Sequence, residues 1–304
     1  MLASWLLRIA SRYGSSFRVF SRTFLDGKVR VVVGFDAFPN ILLLQTIGAV
    51  QPETESRIIR DHSLVGTYQC LRTGPYSCAD IPAARQPGRR VYNRTGTVPQ
   101  KHWHICPTCR ALELERGVLT WQRNAQIPGV RYCGIHGVPL AMITNTCIRA
   151  SLPPSETDLH GMVINPITDP RREQQHIQLA RDLADALDLD LPHLGTDGVD
   201  AAITCVLRDA NIMKAGAERI PWGKIVRQIS AAFGETIFTE TELDGALVKI
   251  QRREFLHEPG PDRLVFLALF ARSFGVSLSH LLHGQRMPPS AETAALYLPA
   301  VATR

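Results

Sequence analysis

HWHICPTCRALELERGVLTWQRNAQIPGVRYCGIHGVPL, residues 102–140, is the stretch on which the reading of the chain turns. Cys106-x-x-Cys109 and Cys133-x-x-His136 form the two halves of a metal clamp, with 23 residues between them. A C-x-x-C pair turns two thiolates toward one point, and a second such pair closes a tetrahedron around zinc. Pro107 and Gly134 sit inside the knuckles, where tight turns bring the ligands together. With Cys106, Cys109, Cys133 and His136 as ligands, protein fills every coordination position. That describes a structural zinc, because a catalytic one keeps a position open for water. His102 and His104 are rivals to His136 for the fourth place. The residues between the pairs have room for a short two-strand or strand-helix excursion.

The same stretch has a counterpart in a known family. A cysteine pair with proline inside it, an acidic run, a W-x-R segment and then C-x-x-H-G-x-x-L resemble the TniQ/TnsD family of transposon target-selection proteins. The matching residues are Cys106, Pro107, Cys109, Glu113, Trp121, Cys133, His136, Gly137 and Leu140. Two upstream segments agree in order: Ser4-Trp5-Leu6-Leu7-Arg8-Ile9-Ala10 resembles the family's opening helix, and Asp61-His62-Ser63-Leu64 with Tyr68 resembles its H-[ST]-L-x-x-Y segment. The resemblance thins after residue 150. It implies a protein that recognises a target site, either directly on DNA or through a CRISPR-guided effector complex. Such a protein then recruits an AAA+ transposition regulator of the TnsC/TniB type, and two copies pair when docked. The family often carries a second cysteine cluster further on. Here only Cys147 remains, without a partner two or three residues away, so no second finger is expected.

Composition bounds the class. A chain of 304 residues can bury a substantial core and suggests two domains, or three small ones. It is 45% hydrophobic and 20% charged, and no apolar run approaches the roughly 18 to 20 residues of a membrane helix. The start, MLASWLLRIASRYG, has Arg8 in its middle and lacks the form of a secretory signal. Of the seven cysteines, Cys70, Cys78, Cys147 and Cys205 fall outside the clamp; they read as buried small apolar residues in a reducing, cytoplasmic compartment. The net charge of +6 conceals an asymmetry. Residues 1–150 hold 19 Lys and Arg against 8 Asp and Glu, whereas residues 151–304 hold 15 against 20. The clamp-bearing half is therefore the one that would face a polyanion.

In order, Trp5, Ile9 and Tyr13 form one stripe of an opening amphipathic helix, capped by Ser4 and ended by Gly14. Two further short helices, one in ILLLQTIGAV and one around Ile58 and Ile59, would complete a helix-turn-helix-like N-terminal unit. Residues 80–100 form a linker in which Arg85, Arg89, Arg90 and Arg94 surround Tyr92, a pattern suited to nucleic-acid backbone contacts and equally to a solvated loop. The stretch 151–170 reads as a Pro-rich connector. Beyond it lie expected helices. One begins at Asp169-Pro170 with the stripe Ile177, Ala180, Leu183, Ala184 and Leu187, and a second runs from Val199 to Ile212. A third carries Ile225, Ile229 and Phe233 and stops at Gly234. Thr239-x-x-Glu242 reads as a capping box for a fourth, with Leu243, Leu247 and Ile250 inward; the third and fourth have helix-turn-helix proportions. Pro261 to Phe274 is the most hydrophobic and is expected at the centre of the core, ahead of a Pro-rich tail.

The expected fold is thus mainly α, with an N-terminal helical region and basic linker over 1–100, a zinc finger or ribbon over 101–150 and a C-terminal helical domain over 151–304. No phosphate-binding G-x-x-x-x-G-K-[ST] loop is present, nor the H-x-E that a zinc deaminase needs, nor a recognisable set of carboxylates for magnesium. The expectation is a non-enzymatic adaptor that bridges a target-bound complex to an AAA+ regulator, with zinc as its cofactor. The alternative is a zinc-containing DNA-binding protein, either a TnsD-like attachment-site binder or a transcriptional regulator. Family members that read sites directly tend to be longer, which favours the adaptor.

Overall fold

The computed structural model describes residues 103–117, 120, 122–127, 129–143, 162–188, 195–214, 216, 217, 219–241, 243 and 261–283, with Val19 and Thr23. Val19 and Thr23 are helical, and the Thr23 hydroxyl donates to the Val19 carbonyl at 3.0 Å. The expected opening helix, the helix-turn-helix-like N-terminal unit and the linker carrying Arg85, Arg89, Arg90 and Arg94 lie outside the described residues.

Within them the protein is mainly helical. β1 (Trp103–Ile105) and α1 (Pro107–Glu115) come first, followed by a 3₁₀ turn (Asn124–Gln126), β2 (Ala141–Ile143) and β3 (Met162–Ile164). The helices α2 (Pro170–Asp188), α3 (Gly195–Asp209), α4 (Trp222–Phe233), α5 (Ile237–Glu240), α6 (Pro261–Ser273) and α7 (Leu278–His283) complete the order.

α6 is the axis of the packing. Every described side chain from Arg263 to Ala271 is buried, on all faces, which is what an apolar helix does when other elements surround it. α2, α4 and α7 all pack on it. α2 supplies Leu179, Ala180, Leu183, Ala186 and Leu187 to the core, with Ile177 packed against its edge. Asp169 caps this helix, accepting from the Arg171 and Arg172 amides at 2.9 and 3.4 Å. α3 begins before Val199, and it ends where Asn211 takes a left-handed φ of 55°. α4 buries Ile225, Ile229 and Phe233 as their spacing predicts, and adds Trp222.

Three expectations about this half change. Thr239 lies inside the single-turn helix α5 instead of capping a new one, and Thr241 closes that turn by donating to the Ile237 carbonyl at 2.7 Å. Residues 244–250 of the expected fourth helix are outside the described residues, so the paired helix-turn-helix is not seen as a unit. Cys205 is exposed on α3, its thiol 3.8 Å from an Asp209 carboxylate oxygen, and not part of the core.

The three strands form one antiparallel sheet in the order β1-β2-β3. Ile105 pairs with Ala141 and Ala141 with Ile164, while Trp103 pairs with Ile143 and Ile143 with Met162. Ala141 and Ile143 face inward with Ile105, and Met142 between them is half exposed, the period of two that a half-buried strand requires. β3 comes from the stretch expected to be a connector: Met162, Val163 and Ile164 satisfy their backbone groups on the free edge of β2. The strands also flank the ligand pairs instead of lying between them, where a helix and a 3₁₀ turn are found.

A single buried cluster runs from Cys106, Cys109 and Cys133 through α2 and α6 to Leu282.

Candidate metal centre

Two knuckles build the site. In the first, Cys106 is the N-cap of α1, and Pro107 occupies the first helical position, where its missing N–H is no loss. The Cys109 amide donates to Cys106 Sγ at 3.4 Å, so the ligand does the work of a capping side chain. The positive end of α1 favours the thiolate form. In the second, a tight hairpin joins Arg131 to Leu140: Cys133 N donates to the Val138 carbonyl and Leu140 N to the Arg131 carbonyl, both at 2.8 Å. Gly137 has φ 67°, which lets its amide turn back to the Cys133 carbonyl at 2.8 Å. The His136 amide donates to Cys133 Sγ at 3.4 Å, repeating the bond of the first knuckle.

The four ligand atoms lie within 4.8 Å of one another. Cys109 Sγ is 3.7 Å from Cys133 Sγ, and His136 Nδ1 is 3.6, 3.2 and 3.6 Å from the sulfurs of Cys106, Cys109 and Cys133. Zinc–sulfur bonds of about 2.3 Å and zinc–nitrogen bonds of about 2.0 Å arranged tetrahedrally give edges of about 3.8 Å between sulfurs and about 3.5 Å from sulfur to nitrogen. The donor set therefore fits zinc in both chemistry and spacing. Cys106, Cys109 and Cys133 are buried and His136 is partly so, and protein supplies all four corners. His104, the described rival, lies in β1, where its amide donates to Gln126 Oε1 at 3.1 Å; it is not in the cluster. His102 and Cys147 are outside the described residues.

Electrostatics calls for a cation here. Hydrogen bonds from the Cys106 and Cys109 thiols hold Cys133 far below the usual thiol range. Cys109 is pushed up by its hydrogen bonds with Cys106 and Cys133 and by burial. One thiolate is stabilised at the expense of its neighbours; three can coexist at this separation only around a positive ion.

The site is anchored to the helices by residues the motif does not announce. A Cβ on Gly134 would lie 2.8 Å from the Ala180 carbonyl oxygen and 3.2 Å from the Ala184 methyl, so the knuckle rests directly on α2. Tyr132 is fully buried, and its hydroxyl accepts from the Ile167 amide at 2.8 Å. Arg131 bonds both carboxylate oxygens of Glu240 at 3.3 Å and the Asn165 carbonyl at 2.9 Å. Arg123 donates to the Leu187 carbonyl at 3.1 Å in the last turn of α2, where the helix dipole favours a cation. An aromatic directly before a ligand cysteine was the available signal for Tyr132. Nothing in the sequence marked Arg131 or Arg123.

Fold and site together define a mainly helical protein built around a closed Cys₃His metal centre of the structural kind. A family model described as TniQ matches residues 1–140, so this part of the chain, with the four ligands at its end, belongs to the TniQ family. A TniQ domain points to a role in selecting targets for transposition. No curated protein matches the chain. Among the described residues, no helix is long and apolar enough to cross a membrane.

Proposed function

We propose that the protein is a non-catalytic target-selection adaptor. It holds a target-DNA-bound complex, a CRISPR-guided Cascade-type effector in the favoured version, and recruits an AAA+ transposition regulator of the TnsC/TniB type. The TniQ match over residues 1–140 carries this reading. Two features support it. The Cys106, Cys109, Cys133 and His136 centre leaves no corner for substrate, so its contribution is to shape. The charge is divided, with the excess of cations in residues 1–150 and the excess of carboxylates beyond. Such a molecule can meet nucleic acid at one end and a protein at the other, with charge setting the rate and orientation of docking and buried apolar anchors its strength. Arg85, Arg89, Arg90 and Arg94 are assigned to binding phosphates, zinc to the four ligands, and a homodimer to the docked state.

The test is co-purification with the AAA+ protein and the effector complex encoded beside it. Capture of both by the same chain supports bridging. Binding to neither, with tight specific binding of the free protein to a DNA site of its own, replaces the adaptor with an attachment-site binder. Replacing the four arginines with alanine is expected to flatten the salt dependence of nucleic-acid association, by roughly one unit of slope for every phosphate no longer neutralised. An unchanged slope removes them from the interface.

A further inference from the structure

α1 and the segment after it meet through one carboxylate. Glu113, half buried on α1, accepts from the Thr120 amide at 2.8 Å through Oε2, and from the Thr120 hydroxyl through Oε1. The same Oε1 accepts from the Gln122 side-chain amide at 3.2 Å. Three donors from two residues on one carboxylate fix both the path of the chain over positions 120–122 and the rotamer of Gln122. That rotamer places the Gln122 amide within hydrogen-bonding range of the Cys109 sulfur, where it favours the thiolate. Only one hydrogen on Nε2 is used by Glu113, and the other is available for sulfur. Gln122 Oε1 is buried without a protein partner, so the residue is held by what its nitrogen does.

We infer that Gln122 is a positioning residue of the metal centre: it donates a hydrogen bond to the Cys109 thiolate in the loaded site, and Glu113 aims it. This rests on the zinc reading of the four-ligand cluster. Three thiolates and one neutral imidazole leave a zinc site with one net negative charge, buried against α2. A donor to one sulfur disperses that charge, and partners of this kind orient ligands and tune affinity, typically by 10- to 100-fold. The two knuckle amides already donate to Cys106 and Cys133. Cys109 receives no such amide bond among the described residues, and Gln122 supplies the missing donor. The family-matching acidic residue Glu113 thereby gains a role: it keeps the donor in place without touching the metal.

The test uses the full chain loaded with cobalt(II) in place of zinc, compared with Gln122→Met and Gln122→Glu, with Glu113→Gln as a variant that leaves Gln122 itself intact. The wild type should show the intense d–d bands of a tetrahedral thiolate site. Gln122→Met should keep them but move the sulfur-to-cobalt charge-transfer band to lower energy, because a sulfur that loses a hydrogen bond gives up its electrons more readily. Chelator competition should show metal affinity falling about 10-fold or more in Gln122→Met. It should fall further in Gln122→Glu, which sets a carboxylate against the thiolate, and to an intermediate degree in Glu113→Gln. Helix content should be unchanged throughout. A wild type without a tetrahedral spectrum overturns the zinc reading and this inference together. A normal wild-type spectrum with the same band position and affinity in the variants overturns this inference alone. Should Gln122→Met fail to fold, an unshifted band in Glu113→Gln has the same force.

Discussion

Replacing Arg272 with methionine tests how the helical half is held. Arg272 on α6 forms a two-pronged ion pair with Asp182 on α2, through Nε to Oδ2 and Nη2 to Oδ1. The side chains are only 15% and 8% exposed. Asp182 also accepts the Leu278 amide at the start of α7, so one carboxylate joins three helices. Burial pushes the Asp182 carboxyl up, and the Arg272 guanidinium opposes that. Removing Arg272 leaves a buried charge with only the Leu278 amide for company. Breaking a buried pair from one side costs about 3–5 kcal/mol. Replacing both members with apolar residues of similar size, as in Asp182→Leu/Arg272→Met, is expected to cost less than either single change, since no orphaned charge remains. Urea unfolding of the four proteins gives the cycle. The pH dependence provides a second check. With Arg272 gone, the folded-state pKa of Asp182 lies further above its unfolded value. The folded chain then takes up a proton more readily than the unfolded one, so stability is regained as pH falls and lost as it rises. The deficit of Arg272→Met relative to wild type should therefore be larger at pH 8 than at pH 5.5. A deficit under about 1 kcal/mol, equal at both pH values, would refute the reasoning, because an exposed pair behaves that way.

Two other expectations concern the same packing. His176 is buried, its Nε2 donates to the Phe233 carbonyl at 3.4 Å, and burial, opposed by that hydrogen bond, lowers its pKa to about 4. The unfolded chain takes up this proton near pH 6.5 and the folded one only near 4, so the wild type should lose up to about 3 kcal/mol across that window relative to His176→Leu; parallel pH–stability curves would remove His176 from the account of acid lability. Gly134→Val should cost about 1–3 kcal/mol, since the new atoms meet the α2 backbone at Ala180, which cannot give way. Its cobalt spectrum should stay that of the wild type, and unchanged stability in denaturant would mean that the knuckle does not rest on α2.

The parts of this molecule visible in its sequence are those that local chemistry dictates. Two ligand pairs with turn-forming residues inside them specify a tetrahedron whatever surrounds it, and the four ligands come together in space. The stripe Ala180, Leu183 and Leu187 and the all-apolar run of α6 likewise declare burial by their spacing. What was hidden depends on partners distant in the chain. Met162–Ile164 reads as part of a Pro-rich connector until the free edge of β2 is there to pair with it. Thr239 has the spacing of a cap, yet Thr236 already starts α5 ahead of it. Cys205 is small and apolar in character, but its register on α3 turns it to solvent beside Asp209. Arg131 and Glu240 are 109 positions apart, and no local pattern links them.

The most direct test of the central claim is the metal content of the full chain, by native mass spectrometry and elemental analysis after purification in a reducing, chelator-free buffer. One zinc per 33.7 kDa chain is expected, with Cys106→Ser, Cys109→Ser, Cys133→Ser and His136→Ala each losing the metal. Each variant should also lose thermal stability, because binding of a structural zinc contributes free energy of order 10 kcal/mol, comparable to the whole stability of a domain. A chain that carries no stoichiometric zinc, or a Cys106→Ser variant as stable as the wild type, would contradict it.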